Sequence, residues 1–175
     1  MAAILIVYST VDGHTRKICE RLRESIETHG NRVTLVAVED SRAADLPAYD
    51  KIVVGASIRY GKHRPAVQQF VHANVRVLDA KPSAFFSVNI VARKPQKNRP
   101  ETNPYVVKFL RQIRWQPKEL DVFAGKLDYP RYGFFDRQMI RFIMLITQGP
   151  TDPKTVVEFT DWQRVEAFAQ RVARM

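Results

Sequence analysis

Cysteine is almost absent from this chain, with one residue, Cys19, among 175. That excludes an internal disulfide and any metal site built from several thiolates, and it fits a reducing compartment. Nothing approaches the roughly 18 uninterrupted apolar residues that a membrane-crossing helix needs. The apolar run at residues 4–8 has no basic residue before it and is soon followed by Asp12. Neither a secretory signal nor a span is therefore expected. Acidic residues are also scarce: 18 Asp and Glu against 28 Lys and Arg give a formal charge of +10. Such an excess asks for an anionic partner, whether nucleic acid, an anionic membrane surface or a small polyanion. With 45% apolar and 26% charged residues, the composition excludes disordered and collagenous classes. The length predicts a single domain over residues 1–175.

Along the chain, strand and helix patterns alternate. Residues 3–8 (AILIVY) form an apolar run without alternation, as expected for a parallel strand covered on both faces. Ile18, Leu22 and Ile26 then recur four apart, and Gly30 stops that helix. Residues 32–38, 50–58 and 83–91 read as further strands, with a helix between the last two that starts near Pro65. Asn103 and Pro104 suit the N-cap and first position of the next helix. Residues 120–127 read as a fifth strand, and Asp161 caps a final helix. Alternation of this kind predicts a three-layer α/β sandwich around a five-stranded parallel sheet in flavodoxin-like order 2-1-3-4-5, with ligand at the carboxyl ends of the strands.

Three loops fall at that edge. The first, Ser9, Thr10, Val11, Asp12, Gly13, His14 and Thr15, offers hydroxyls and amides to a phosphate at a helix N-terminus. It is not a Walker loop, because no Lys follows the glycine. It resembles the flavodoxin phosphate loop, with Asp12 standing where a hydroxyl is usual; its carboxylate is expected to turn away. The second loop carries Ser57, Ile58, Arg59, Tyr60 and Gly61, followed by Lys62 and His63; the third carries Ser87, Val88, Asn89, Ile90 and Val91, followed by Arg93 and Lys94. The runs GASIRYG, SVN-VARKP and YPRY, together with Thr160-Asp161-Trp162, resemble the bacterial flavodoxin-like, quinone-dependent protoporphyrinogen oxidases over nearly the whole chain. The resemblance implies that the three loops bind FMN. It implies oxidation of protoporphyrinogen IX, electron transfer to menaquinone or ubiquinone, and a peripheral place on the cytoplasmic side of the bacterial inner membrane.

The charge is uneven. Residues 87–118 hold eight basic side chains and one acidic one, so most of the excess lies beside the third loop. Arg93, Lys94 and Arg131 are expected to meet the substrate's propionates, because Arg suits carboxylates. Lys108, Arg111 and Arg114 recur at helical spacing and read as a solvated face more than as ligands. His63 and Tyr60 are the candidate catalytic groups by chemistry alone. No metal cluster, Ser-His-Asp arrangement or nucleic-acid motif is visible, so neither metal nor nucleic acid is expected.

Residues 128–153 exceed an ordinary connection of roughly 2–6 residues and are rich in aromatic and aliphatic side chains. On a helix Phe135, Met139, Phe142 and Ile146 share a stripe, and Arg137 and Arg141 form a basic strip elsewhere. This insertion after or within the fifth strand reads as a lid, a membrane-contact segment or an oligomer contact. Two other activities stay open on the residues: a flavodoxin-like NAD(P)H:quinone reductase and a basic FMN electron-transfer protein.

Overall fold

A computed structural model describes residues 1–175. The chain runs β1 (Ala3–Ser9), α1 (His14–Glu27), β2 (Arg32–Ala37), β3 (Lys51–Arg59), β4 (Lys62–His63), α2 (Pro65–Ala80) and β5 (Ser83–Val88). It continues through α3 (Pro104–Gln112), β6 (Glu119–Phe123), β7 (Lys126–Asp128), α4 (Phe134–Ile146), β8 (Val156–Glu158) and α5 (Trp162–Arg174).

Five parallel strands lie in the order β2-β1-β3-β5-β6, the flavodoxin-like order expected from the sequence. β1 is flanked by β2 and β3, with Ile4 opposite Val33 on one side and Lys51 on the other. The connection therefore reverses direction across β1, and the crevice that this opens faces the carboxyl ends of β1 and β3. One sheet face packs Ile4, Ile6 and Phe86 against Ile18 and Leu22 of α1 and Val165 and Phe168 of α5. The other packs Leu5, Val7 and Phe85 against Val67 and Val71 of α2 and Phe109 of α3. Both faces are covered, which explains strands that read as unbroken apolar runs.

Several sequence boundaries move for identifiable reasons. β5 ends at Val88, not residue 91, because the Asn89 side chain accepts the Ala92 amide and bends residues 90–93 into a 3-10 turn. The expected fifth strand at 120–127 is two strands, broken at Ala124 and Gly125. Its second part leaves the sheet and pairs antiparallel with β8, so the insertion hangs on a separate two-stranded ribbon. The caps match expectation: the Asn103 side chain accepts the Tyr105 and Val106 amides, and that of Asp161 accepts the Arg164 amide.

Candidate functional site

A cleft of about 900 Å3, open to solvent, lies at the carboxyl edge of the sheet. Its base is the first loop. Gly13 adopts φ 83°, a left-handed conformation natural to glycine, and donates its amide to Thr10 Oγ1 at 3.0 Å. The amides of His14, Thr15 and Arg16 open α1 and so have no intrahelical acceptor. Thr15 is 1% exposed, lines the cleft and has no hydrogen-bond partner in the protein for its hydroxyl. Open space surrounds Gly13, where a Cβ would meet nothing within 4 Å. Behind the loop, Arg64 Nη1 reaches Ser9 Oγ and Thr10 O, both at 3.4 Å, and pairs with Glu39 at 2.6 Å. These donors fit a phosphate.

The second loop is a hairpin that the sequence pattern did not disclose. β4 pairs with the end of β3, Arg59 opposite Lys62, across a two-residue turn. Tyr60 and Gly61 both have positive φ, 52° and 75°, the signature of a type I′ turn. A tyrosine in that region is strained by about 1 kcal/mol. The turn holds its phenol, 56% exposed, against the start of α4, where it donates to Asp136. Arg59 spans the same gap, reaching Asp136 at 3.2 Å and Asp12 at 3.1 Å. Asp12 is thus held against the hairpin's guanidinium, which neutralises it beside the phosphate loop.

Apolar walls complete the cleft. Ile58 faces Val88, Ile90 and Val91, and Ile140, Ile143 and Met144 on the inner side of α4 roof the space with Tyr132. Fourteen of the seventeen residues expected to hold the cofactor line it: Thr10, Val11, Asp12, His14, Thr15, Ser57, Ile58, Arg59, Tyr60, Gly61, Val88, Asn89, Ile90 and Val91. Ser9 and Ser87 are buried beneath it and Gly13 supports the loop. The Asn89 side chain serves the scaffold: it exchanges hydrogen bonds with Asn103 at 3.2 and 3.0 Å and donates to Ser87 Oγ. Sequence reasoning did not single out Tyr105, Gly125, Lys126 or Leu127, which have no motif of their own.

The expected substrate and catalytic residues fare differently. Arg93 is turned inward, donating to Ile90 O at 3.1 Å and Thr147 O at 3.0 Å, and burial holds its pKa below the ordinary arginine range. Lys94 and Arg131 lie outside the cleft. Arg137 and Arg141 do not form a free basic strip, because they donate to the carbonyls of Tyr129, Tyr132 and Thr151. His63 lies behind the hairpin, 2.8 Å from Ser87 Oγ and against Phe109, and burial pushes its pKa down to about 4. It is neutral and weakly basic near pH 7. Burial also lowers the His14 pKa, against the opposing pull of Glu158. Its Nε2 donates to Thr160 Oγ1 at 2.7 Å, since that hydroxyl is itself donated to Ala124 O.

An open 2-1-3 sheet with a loop of hydroxyls and free helix amides at its switch point defines a flavodoxin-class domain, and residues 5–154 match the family model described as a flavodoxin domain. Flavodoxin 1 from Bacillus cereus superposes with TM-score 0.58 at 15% identity, covering 99% of this chain and 98% of that one. Two-electron reduced Megasphaera elsdenii flavodoxin gives 0.60 at 12% identity, covering 98% and 99%. The class points to a flavin cofactor, and the cleft's donors and apolar walls fit one.

Sequence likeness is narrower. Over 171 residues the chain is 43% identical to protoporphyrinogen IX dehydrogenase [quinone] of Escherichia coli K12, covering 98% of this chain and 94% of that protein. The Leishmania major protein of the same name is 45% identical over 172 residues, covering 98% of this chain and 74% of that one. The chain belongs to the protoporphyrinogen IX dehydrogenase family of flavodoxin-fold oxidoreductases.

Proposed function

We propose that this chain binds FMN and oxidises protoporphyrinogen IX to protoporphyrin IX, passing the electrons to a membrane quinone. The observation that carries this is the roof. A flavodoxin cleft is covered here by an inserted helix whose inner side is apolar and whose outer side is also apolar. Phe134, Phe135, Phe142, Leu145 and Ile146 are all more than half exposed. A hydrophobic macrocycle and a quinone both need such surroundings, and full membership of a family with that named activity supports the assignment.

When bound, the flavin supplies two-electron oxidation. The chain's own part is positional and electrostatic. The Thr10 and Thr15 hydroxyls and the first amides of α1 hold the phosphate; the hairpin and residues 88–91 hold the ring. Ile140, Ile143 and Met144 exclude water from the cleft. The outer face of α4 lies on the cytoplasmic surface of an anionic membrane. No helix of the protein is long and apolar enough to cross one.

The decisive experiment incubates FMN-loaded protein anaerobically with protoporphyrinogen IX and a soluble quinone analogue, following porphyrin fluorescence. Quinone-dependent porphyrin formation is expected. Its absence, with rapid NADPH oxidation instead, would replace this reading with that of a quinone reductase.

A further inference from the structure

Behind the hairpin lies a second cavity, of about 590 Å3 and open to solvent, between β4, the start of α2 and α3. It touches the flavin cleft, because Gly61 and Tyr105 line both. Its lining is chemically one-sided. Lys62 and Lys108 face it with no ion pair and no hydrogen bond to the protein, and no carboxylate lines it. The side-chain amides of Gln68 and Gln112 and the phenol of Tyr105 also border it without a protein partner. Its remaining cation, Arg64, is already bound to Glu39. The floor is His63 against the Phe109 ring, 4.8 Å between centroids. Two unpaired ammonium groups with further donors around an acid-free recess have the chemistry to pair with one carboxylate.

We infer that this recess takes a carboxylate side arm of the porphyrinogen, with Lys62 and Lys108 as its counter-ions, while the macrocycle lies across Gly61 and Tyr105 toward the flavin cleft. The inference rests on the function proposed above. It also gives the substrate a cationic anchor where Arg93 gives none, since that guanidinium is spent on carbonyls. Lys108 thereby acts as a specificity-determining ligand, unlike its helix neighbour Arg111, which lies outside the recess.

The test titrates the FMN-loaded protein with protoporphyrin IX and with its dimethyl ester, read by porphyrin fluorescence. The wild type should prefer the diacid by about tenfold, the scale of one charge-assisted contact. K62Q/K108Q should bind the diacid about tenfold more weakly by the same scale, lose the preference and bind the ester unchanged. K62R/K108R should restore the preference, and R111Q, removing an equal charge from the same helix, should keep it. In turnover, KM of K62Q/K108Q should rise while kcat changes little. A K62Q/K108Q protein that keeps full preference for the diacid overturns the assignment, as does equal loss in R111Q. If wild-type protein binds the diacid selectively but never turns over porphyrinogen, the oxidase reading fails and the recess stands. If it turns over and K62Q/K108Q has an unchanged KM, the recess alone fails.

Discussion

The scaffold and the insertion use apolar residues in opposite ways. In α1, Thr15, Ile18, Cys19, Leu22 and Ile26 are buried and the rest of the helix is polar. In α4 only Met144 is buried, although nine of its thirteen residues are Phe, Ile, Leu or Met. α1 is held by hydrophobic burial against the sheet. α4 packs only its inner side, Ile140, Ile143 and Met144 against Leu127, Tyr129 and Tyr132, and polar staples add to this: Arg137, Arg141 and Arg93 to main-chain carbonyls, and Arg59 and Tyr60 to Asp136. An element tethered in part by hydrogen bonds can leave its apolar outer face free for something else.

The largest expected effect on stability lies in the scaffold. A Cβ at Gly55, in the middle of β3, would sit 2.2 Å from the Phe86 ring, itself fully buried. G55A should cost about 3 kcal/mol by overpacking; a denaturant midpoint unchanged from wild type would deny that the two sheet strands pack this tightly. Next comes a pH effect confined to the scaffold. Folding lowers the His63 pKa from 6.5 to about 4, so between those values the unfolded chain binds more protons. The resulting stability is complete above pH 6.5 and is lost as pH falls toward 4, by about 3 kcal/mol. Melting curves of wild type and H63N at pH 4.5 and 7.5 test this, and the variant should show the smaller loss.

Smaller still is the global effect of cutting the insertion loose. R137M/R141M should lower the local opening free energy of α4 by about 2 kcal/mol. Amide exchange in α4 should quicken while exchange in β1 and β3 stays as it was; simultaneous acceleration everywhere would mean that insertion and scaffold unfold as one. The least change in stability is expected from F135S/F142S/I146S, within about 0.5 kcal/mol because the three side chains are already solvated. Flavin content should persist while sedimentation with anionic lipid vesicles falls. Undiminished vesicle binding would assign the outer face to a second copy of the chain, which sedimentation velocity would then reveal.

Sheet order, helix caps and the three loops were legible because they depend on local pattern: unbroken apolar runs, Asn103 before Pro104, hydroxyls before Gly13. The hairpin was not. A two-residue strand carries no periodicity, and Tyr60 in a left-handed turn contradicts the usual residue preference. The ribbon was hidden because residues 120–127 keep strand-like composition through the break at Gly125. Hardest to read were the arginines. A guanidinium aimed at solvent and one aimed at a main-chain carbonyl have the same sequence context, so Arg93, Arg137 and Arg141 read as anion ligands or a free strip until their acceptors are seen. Lys108 is exposed, as its helical spacing implied, and what the spacing could not show is that it also borders the recess behind the hairpin.

The single cysteine has a practical consequence. Cys19 is wholly buried in α1, and burial pushes its thiol far above the ordinary range, so the native protein presents no thiolate to an alkylating reagent. Reaction with a maleimide therefore times the opening of the scaffold itself. The label needs no engineering, works in the presence of lipid and flavin, and is blind to movements of α4. Measured beside vesicle binding, it separates in one sample a variant that no longer binds vesicles from one that has come apart.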